Sequence, residues 1–308
     1  MTKIRPRMTK RMTIYMKRSL TIVLLLTAVA ALLSGCVGMK QGVMVPVSIS
    51  FDPVIGHDTR ADESIPFPQD RTFKVWALNE ADGSVLIDAE EVSYGTEGWI
   101  SSYIWPEATL AFDAFSPSDL PFEYSKTNGL TLRDFDCSKG DTDILVARKP
   151  NADKQVDNPV ILPFEHILSR VEFRLLQSLS SDMSVKVRKI EMVGFASVGT
   201  YTSIKMEPWT TGAKDFTYVV FEDPQGVDVT SEPIYLGDDF YTIPQLCRAR
   251  VDVYFDVKYG AASWIPQVET IKELDTYWEL GTHYTYTLNL QETKLVYTTG
   301  ISNWNNRE

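Results

Sequence analysis

The chain has 308 residues, of which 44% are hydrophobic and 11% aromatic, enough to bury one large core or two ordinary ones. Residues 1–35 carry seven Lys or Arg and no acid, which leaves 23 basic and 41 acidic residues in the rest of the chain. The resulting net charge of about −18 repels phosphate groups, so the composition argues against nucleic acid as a partner.

The N-terminal segment has the layout of a secretion signal. A basic stretch ends at Arg18, and an apolar run occupies residues 20–33. Since a membrane-spanning helix needs about 20 apolar residues, this run is short for a span and typical of a signal peptide. The sequence Leu33-Ser34-Gly35-Cys36 resembles the bacterial lipobox. This resemblance implies cleavage before Cys36 and acylation of that cysteine, which would hold a lipoprotein at a membrane.

From residue 43 onward, apolar and polar residues alternate as in strands with one buried face. These segments are rich in β-branched and aromatic residues and are bounded by Gly, Pro, Asn and Asp. Ala81-Asp82-Gly83 has the composition of a hairpin turn. Many short strands with few helices predict an all-β fold of antiparallel β-sandwiches. The predicted strands cover residues 43–51, 72–78, 84–87, 91–94, 110–115, 143–147, 160–164, 170–176, 185–193, 216–221, 235–243, 249–257, 282–290 and 294–299.

The polar residues 150–158 lack apolar periodicity and are the best candidate for a domain boundary. The predicted organisation therefore has a signal peptide and a lipidated segment, followed by two tandem β-sandwich domains. The four parts cover residues 1–35, 36–60, 61–157 and 158–308.

The sequence contains no recognisable catalytic motif. His57, His166 and His283 are far apart, and none has a second histidine at metal-ligand spacing. No nucleophile elbow, Cys-x-x-Cys pair, P-loop or dinucleotide fingerprint occurs. His166 lies in an apolar context and is best explained as a structural histidine. We therefore expect a protein that is not an enzyme and needs no metal or cofactor.

Asp134, Asp136, Asp141 and Asp143 surround a Lys-Gly pair. Carboxylates at alternate positions of a loop can hold Ca²⁺, but the spacing differs from the regular calcium loop. A solvated turn between strands is the simpler interpretation.

Two further groups leave alternatives open. Trp99, Tyr103 and Trp105 lie close together and suit either a sugar-stacking platform or ordinary packing of a strand. Cys137 and Cys247 suit either a disulfide or two buried free thiols, and the thiols are the simpler interpretation.

Five segments, in order along the chain, resemble parts of the Mfa-like fimbrillins, the pilus subunits of Bacteroidetes-type (type V) fimbriae. One of them, Phe-Glu-His-Ile-Leu-Ser-Arg-Val, is similar to the family's most recognisable stretch, Phe-x-His-x-Leu-x-Lys/Arg-Val. The resemblance implies two tandem transthyretin-like β-sandwiches and assembly into fimbriae, or anchoring and tipping of them, for adhesion. The segments cover residues 109–117, 143–147, 160–173, 278–288 and 301–304.

The resemblance also implies a route of assembly. Stalk subunits of the family travel as lipoproteins, and a trypsin-like, Arg-specific surface protease then removes the lipid together with the first strand. A strand from a neighbouring subunit fills the groove by β-strand addition. The candidate released strand in this chain has an apolar face made of Val45, Val47, Ile49 and Phe51.

Residues 57–62 are polar and suit a loop that a protease can reach. We predict a cut between Arg60 and Ala61. In the alternative, Arg60 is only a solvated loop residue, since anchor-type members of the family keep their N-terminus.

The C-terminal residues 294–304 form the candidate donor strand, with Leu295, Tyr297 and Thr299 on one face. The alternative is that this segment closes its own domain. Residues 37–41 lack the acidic run that often marks surface-exported lipoproteins, which leaves the final leaflet open.

The sequence thus favours a fimbrillin-like pilus subunit, whether stalk, tip or anchor, at the outer membrane and in the fimbrium at the cell surface. Its expected partners are other pilus subunits, the membrane, the protease and a host or bacterial glycan or protein. The alternative is a surface glycan-binding lipoprotein with a sandwich fold. A stalk subunit polymerises after trimming, whereas a glycan binder stays monomeric.

Overall fold

A computed structural model describes residues 46–56, 64–292 and 294–304, which form strands and no helix. The strands, in chain order, are β1 (Ser48–Ile55), β2 (Ile65–Pro66), β3 (Phe73–Asn79), β4 (Val85–Val92), β5 (Tyr94–Gly95), β6 (Gly98–Ile104), β7 (Leu110–Ser116), β8 (Glu123–Ser125), β9 (Gly129–Asp136), β10 (Leu145–Ala152), β11 (Val160–His166), β12 (Ser169–Ser178), β13 (Met183–Phe195), β14 (Val198–Thr202), β15 (Trp209–Thr211), β16 (Phe216–Val229), β17 (Ile234–Tyr235), β18 (Phe240–Thr242), β19 (Leu246–Cys247), β20 (Arg250–Tyr259), β21 (Ile265–Ile271), β22 (Thr276–Tyr277), β23 (Thr282–Gln291) and β24 (Lys294–Asn303).

The largest sheet has nine strands and contains β1 to β7, β10 and β11. Its order is β4-β3-β7-β10-β11-β1-β6-β5, and β2 lies beside β1. Its apolar side chains form one core, in which Phe73, Phe112 and Phe164 are fully buried. In this sheet β1 lies at an interior position, with β11 on one side and β6 and β2 on the other.

The C-terminal part is a sandwich of two sheets. A five-stranded sheet contains β12, β17, β18, β23 and β24, and a four-stranded sheet has the order β16-β13-β20-β21. Apolar residues of both sheets form a single core. In β23 every second residue points into this core, from Tyr284 to Leu290, which explains the alternation in the sequence.

A further four-stranded sheet joins strands that are distant in sequence. β8 and β9 pair with each other, and β9 also pairs antiparallel with β14, which pairs with β15. A third apolar cluster lies here and includes Trp76, Leu130, Tyr201 and Trp304. The last sheet is the small pair β19–β22.

The prediction of an all-β fold is confirmed. The sheets are mixed, however, because β1 runs parallel to β11 and β12 runs parallel to β23. The predicted turn is present, with the backbone N–H of Gly83 donating to the carbonyl of Asn79 at 2.7 Å and a φ of 64° that suits glycine.

The domain boundary at residues 157/158 stays a prediction. β11 lies on its C-terminal side but pairs with β1 and β10 of the nine-stranded sheet, so the change of sheet comes after His166. Within the described part of the chain, no helix is suited to crossing a lipid bilayer.

Candidate functional site

β1 has a neighbour on each side. It pairs antiparallel with β6 along its first half and with β2 along its second half, while β11 runs parallel to it on the other side. Backbone bonds extend the pairing at both ends: Trp105 N–H donates to the Val47 carbonyl and Gly56 N–H donates to the Phe164 carbonyl, each at 2.9 Å. Removal of β1 would therefore leave unpaired backbone groups on two facing strands.

The inner face of β1 is part of the core. Ile49, Phe51, Pro53 and Ile55 are all buried. The Phe51 ring meets two other rings edge to face, Phe73 at 5.6 Å and Phe112 at 5.7 Å between centroids. Burial of one such side chain contributes about 1.5–3 kcal/mol, so this strand stabilises the whole nine-stranded sheet.

The Asn158 side chain forms hydrogen bonds with the first half of β1. Its Oδ1 atom accepts hydrogen bonds from the backbone N–H of Ser50 at 3.0 Å and from the Ser50 hydroxyl at 2.8 Å. Its side-chain amide donates to the Ser48 carbonyl at 3.3 Å. This role could not be predicted from the sequence, because Asn158 ends the polar stretch that we interpreted as a domain boundary.

β24 carries the candidate donor residues and lies at the edge of its sheet. It pairs antiparallel with β23 over its full length, and β23 is its only paired neighbour among the described strands. Leu295 is 9% exposed and Tyr297 and Thr299 are half-buried, whereas Ile301, on the same face, is 66% exposed. The structure thus places these residues in the closing strand of their own sheet.

The chain just after β24 is held by a stack of aromatic rings. Trp304 is buried and lies between His166, at 4.1 Å between centroids, and Tyr241, at 5.1 Å. His166 Nδ1 is 2.8 Å from Asp143 Oδ1, which fixes the ring. His166 is therefore a structural histidine, as the sequence indicated, and Trp304 is the partner that the sequence did not reveal.

Several predicted residues lie outside the described part of the chain. These are Cys36, His57, Arg60, Ala61 and Val45, so the predicted lipidation and the predicted cut stay predictions. Val47 directly precedes β1, and Ile49 and Phe51 belong to it.

The four aspartates do not converge on one point. Asp136 accepts a hydrogen bond from the backbone of Ser138, whereas Asp143 faces His166 and Arg71. The side chains in this region are thus used in local turn and ion-pair contacts.

The aromatic cluster is core packing and not an exposed platform. Trp99 and Trp105 are 7% and 4% exposed, and only Tyr103, at 37%, lies at the surface. Trp99 packs against Phe73 in the core below β1, at 5.4 Å between ring centroids. The sequence could not make this distinction because buried and exposed aromatics have the same pattern in a strand.

Cys137 and Cys247 are buried free thiols, in agreement with the simpler interpretation of the sequence. Burial raises the pKa of both thiols, to about 12 for Cys247. Both therefore stay protonated and unreactive at neutral pH.

A polar network lies on the outer face of β12 and β23. Donor atoms of Glu172, Asp239 and His283 lie within 4.8 Å of one another, a spacing that would permit a metal ion. Arg174 already pairs with Glu172 at 2.7 Å, however, and Arg170 pairs with Asp239. With both carboxylates neutralised by guanidinium groups, the arrangement is better explained as an ion-pair network.

Known proteins resemble this chain both in sequence and in fold. The sequence matches the fimbrillin-like family over residues 59–304, which include both the core below β1 and the edge strand β24. The chain belongs to the fimbrillin-like family. Membership confirms the resemblance found in the sequence, and it implies a fimbrial protein of the cell surface that associates with other subunits. The family is not one of enzymes.

Solved structures show the same fold for this fimbrillin-like protein. A fimbrial protein from Bacteroides vulgatus aligns with a TM-score of 0.61 at 13% identity, over 83% of this chain and 99% of its own. A candidate cell adhesion protein from Parabacteroides distasonis gives 0.56 at 9%, over 84% and 97%. One from Bacteroides ovatus gives 0.53 at 14%, over 86% and 100%. No curated protein matches the sequence.

Proposed function

We propose that this fimbrillin-like protein is a lipid-anchored pilus subunit that assembles by strand addition. The observation that supports this most strongly is the position of β1. The first strand of the described chain lies between other strands of its sheet, with every inward side chain buried. A strand placed there can be removed only by leaving a groove that another strand must fill.

The proposed cut between Arg60 and Ala61 follows β1 in the chain and precedes β2. It separates β1 and the lipid on Cys36 from the rest of the subunit. The remaining groove has unpaired backbone groups of β6 and β11 on its walls and aromatic side chains on its floor. Such a groove binds an alternating strand through backbone hydrogen bonds and side-chain pockets.

The proposed donor is β24 of another subunit. As an edge strand it has one row of backbone groups without a strand partner in its own sheet, and its face is incompletely buried. When β24 leaves its sheet, it loses backbone hydrogen bonds to one paired strand, whereas β1 would lose them to strands on both sides. Until the cut, the acyl chains hold the subunit at the outer membrane. In the assembled fimbrium the protein serves adhesion, with a glycan or protein as the ligand.

Limited trypsin digestion of the lipid-free protein tests this proposal. We expect an early cut at Arg60, located by mass spectrometry, followed by a ladder of oligomers on size-exclusion chromatography. Arg60→Gln should abolish both, and Arg133→Gln, which changes an exposed arginine in β9, should change neither.

A cut at Arg60 that leaves a stable monomer would contradict polymerisation and favour a tip or stand-alone role. Full resistance of Arg60 would favour an anchor that keeps its first strand.

A further inference from the structure

A cleft lies between the nine-stranded sheet and the five-stranded sheet. It contains two adjoining cavities, of about 600 and 430 Å³, and both volumes are within the range of small-ligand sites. Arg71, Asp143 and Tyr241 border both cavities. The cleft is therefore one extended site and not two separate pockets.

The larger cavity has a wall of paired charges on β12 and its neighbours. Arg170 pairs with Asp239, and Arg174 Nε donates to Glu172 Oε1 at 2.7 Å. Together with the arginine and the aspartate that border both cavities, three guanidinium groups lie beside three carboxylates. Their charges cancel, while many hydrogen-bond donors and acceptors lie side by side.

Aromatic rings supply apolar surface beside these charges. Tyr241 packs on Trp304 at 5.1 Å between ring centroids and is half-buried. Tyr235 lines the larger cavity, is 61% exposed, and has the Arg174 guanidinium 4.3 Å from its ring centroid. The negative face of an aromatic ring attracts weakly positive C–H groups, such as those on the faces of a sugar ring.

We propose that this cleft binds a neutral oligosaccharide. A sugar hydroxyl both donates and accepts hydrogen bonds, so a row of hydroxyls satisfies guanidinium donors and neighbouring carboxylate acceptors at once. The C–H faces of the sugar rings pack on the tyrosines. This inference rests on the adhesive part of the proposed function, for which it names the class of ligand and the site, and it does not depend on strand addition.

The surroundings of the cleft disfavour other classes of ligand. The net charge of about −18 after residue 35 repels polyanions, including acidic saccharides. An extended peptide binds through the free edge of a strand, but β12 and β23 are paired on both sides. A ligand at this wall therefore meets side chains and not free backbone groups.

Arg71 is the residue best placed to bind the saccharide. Its side chain is 42% exposed, and its Nη1 atom is 3.7 Å from Asp143 Oδ2, which is longer than a hydrogen bond. The guanidinium can therefore turn to a ligand hydroxyl without breaking a short ion pair. Arg170 and Arg174, in contrast, hold the wall of the cavity together.

An array of oligosaccharides tests this proposal. The probes are neutral oligosaccharides of glucose, mannose and galactose, hyaluronan oligosaccharides as acidic counterparts, and a glutamate-rich peptide. The lipid-free protein is used untrimmed, because Ile55 of β1 and Trp304 line the larger cavity. We expect binding to at least one neutral oligosaccharide and to neither acidic probe, and calorimetry then measures the Kd of the neutral one.

Substitutions locate the binding site. Arg71→Ala should weaken binding of that oligosaccharide at least about tenfold, the usual effect of losing a hydrogen bond to a charged group. Tyr235→Ala should weaken it several-fold, whereas Tyr235→Phe, which keeps the ring, should bind almost normally. The matched controls Arg248→Ala and Tyr259→Ala change exposed residues outside the cleft and should have no effect.

Absence of binding to every neutral oligosaccharide, or tighter binding of hyaluronan or of the peptide, would overturn the proposed ligand. Binding that Arg71→Ala and Tyr235→Ala leave unchanged would overturn the cleft as its site. Because the protein is untrimmed, these results are independent of strand addition. Conversely, a failure of the trimmed protein to form oligomers would contradict the proposed assembly and leave the saccharide site intact.

Discussion

β1 and β24 have nearly the same alternation of apolar and polar residues, but they differ in the number of neighbouring strands and in burial. β1 lies in the interior of a nine-stranded sheet and is buried along its inner face, while β24 closes the edge of a five-stranded sheet and leaves Ile301 open to solvent. The difference comes from the number of neighbouring strands and not from the strand's own residues. Alternation therefore predicts that a strand has one apolar face, but it does not predict how firmly the strand is held.

The different positions of β1 and β24 also explain why the proposed assembly needs proteolysis. While β1 is covalently attached it is held beside its own groove at a high effective concentration, so a strand from another molecule cannot displace it. The edge strand can leave with less loss. In the proposed assembly, a cut on the C-terminal side of β1 releases this firmly held strand, so that a strand from another subunit can take its place.

The largest predicted loss of stability comes from substitution of Phe51. Phe51→Ala should lower the free energy of unfolding by about 3–5 kcal/mol, because it removes a fully packed ring between Phe73 and Phe112. Tyr297→Ala, at the matching position of β24, should cost clearly less because its ring is half-buried. Urea denaturation of the untrimmed protein measures both. Equal costs would show that the two strands are held equally firmly.

A somewhat smaller effect is predicted for Trp304. Trp304→Ala removes the ring that His166 and Tyr241 enclose and should cost about 3 kcal/mol, the lower end for a buried aromatic. Hydrogen exchange of the β24 amides should quicken while that of β1 stays unchanged.

The control for this prediction is Trp264→Ala, which removes a partly buried ring flanked by Lys186 and Lys258. It should affect neither strand. If β1 and β24 both exchange faster in Trp304→Ala, the stack stabilises the whole molecule and does not serve β24 in particular.

The smallest predicted effect is a dependence on pH at β23, the neighbour of β24. The pKa of His283 is lowered from 6.5, first by burial and then by Arg170, against the opposing effect of Glu172 and Asp239. Arg174 acts in the same direction as Arg170. The unfolded chain therefore binds this proton more readily than the folded chain, so stability falls as pH decreases below about 6.5, down to the lowered folded value.

His283→Gln should reduce this loss, as measured by urea denaturation between pH 7 and pH 5 in roughly half-unit steps. His166→Gln, which changes the other described histidine near β24, is the matched control variant. An unchanged pH dependence in His283→Gln would show that other groups cause the acid sensitivity.

The sequence predicted the strands that have one wet face, such as β1 and β23, because their burial alternates. It missed β9, in which Leu130, Thr131 and Leu132 are all buried in succession. A short strand covered on both faces has no period-2 signal, and it cannot be told from a loop by composition alone.

The candidate site could be predicted only in part. The apolar face of β1 was visible, since it depends on local alternation. Its neighbour β11 lies more than 100 residues away, at Val160 opposite Phe51, and no local pattern encodes that pairing. The roles of Asn158 and Trp105 depend on the same long-range contacts and so became visible only in the folded chain.

The sheet that joins β9 to β14 has a mechanical consequence. In a fibre built by the proposed exchange, each subunit would be held by its neighbours at two places, the β1 groove and the departed β24. Tension between these places would have to cross the middle of the molecule. There the antiparallel pairing of β9 with β14 and the packing of Trp76 and Tyr201 would share the load. The tensile strength of such a fibre would then depend on the resistance of this sheet to shear.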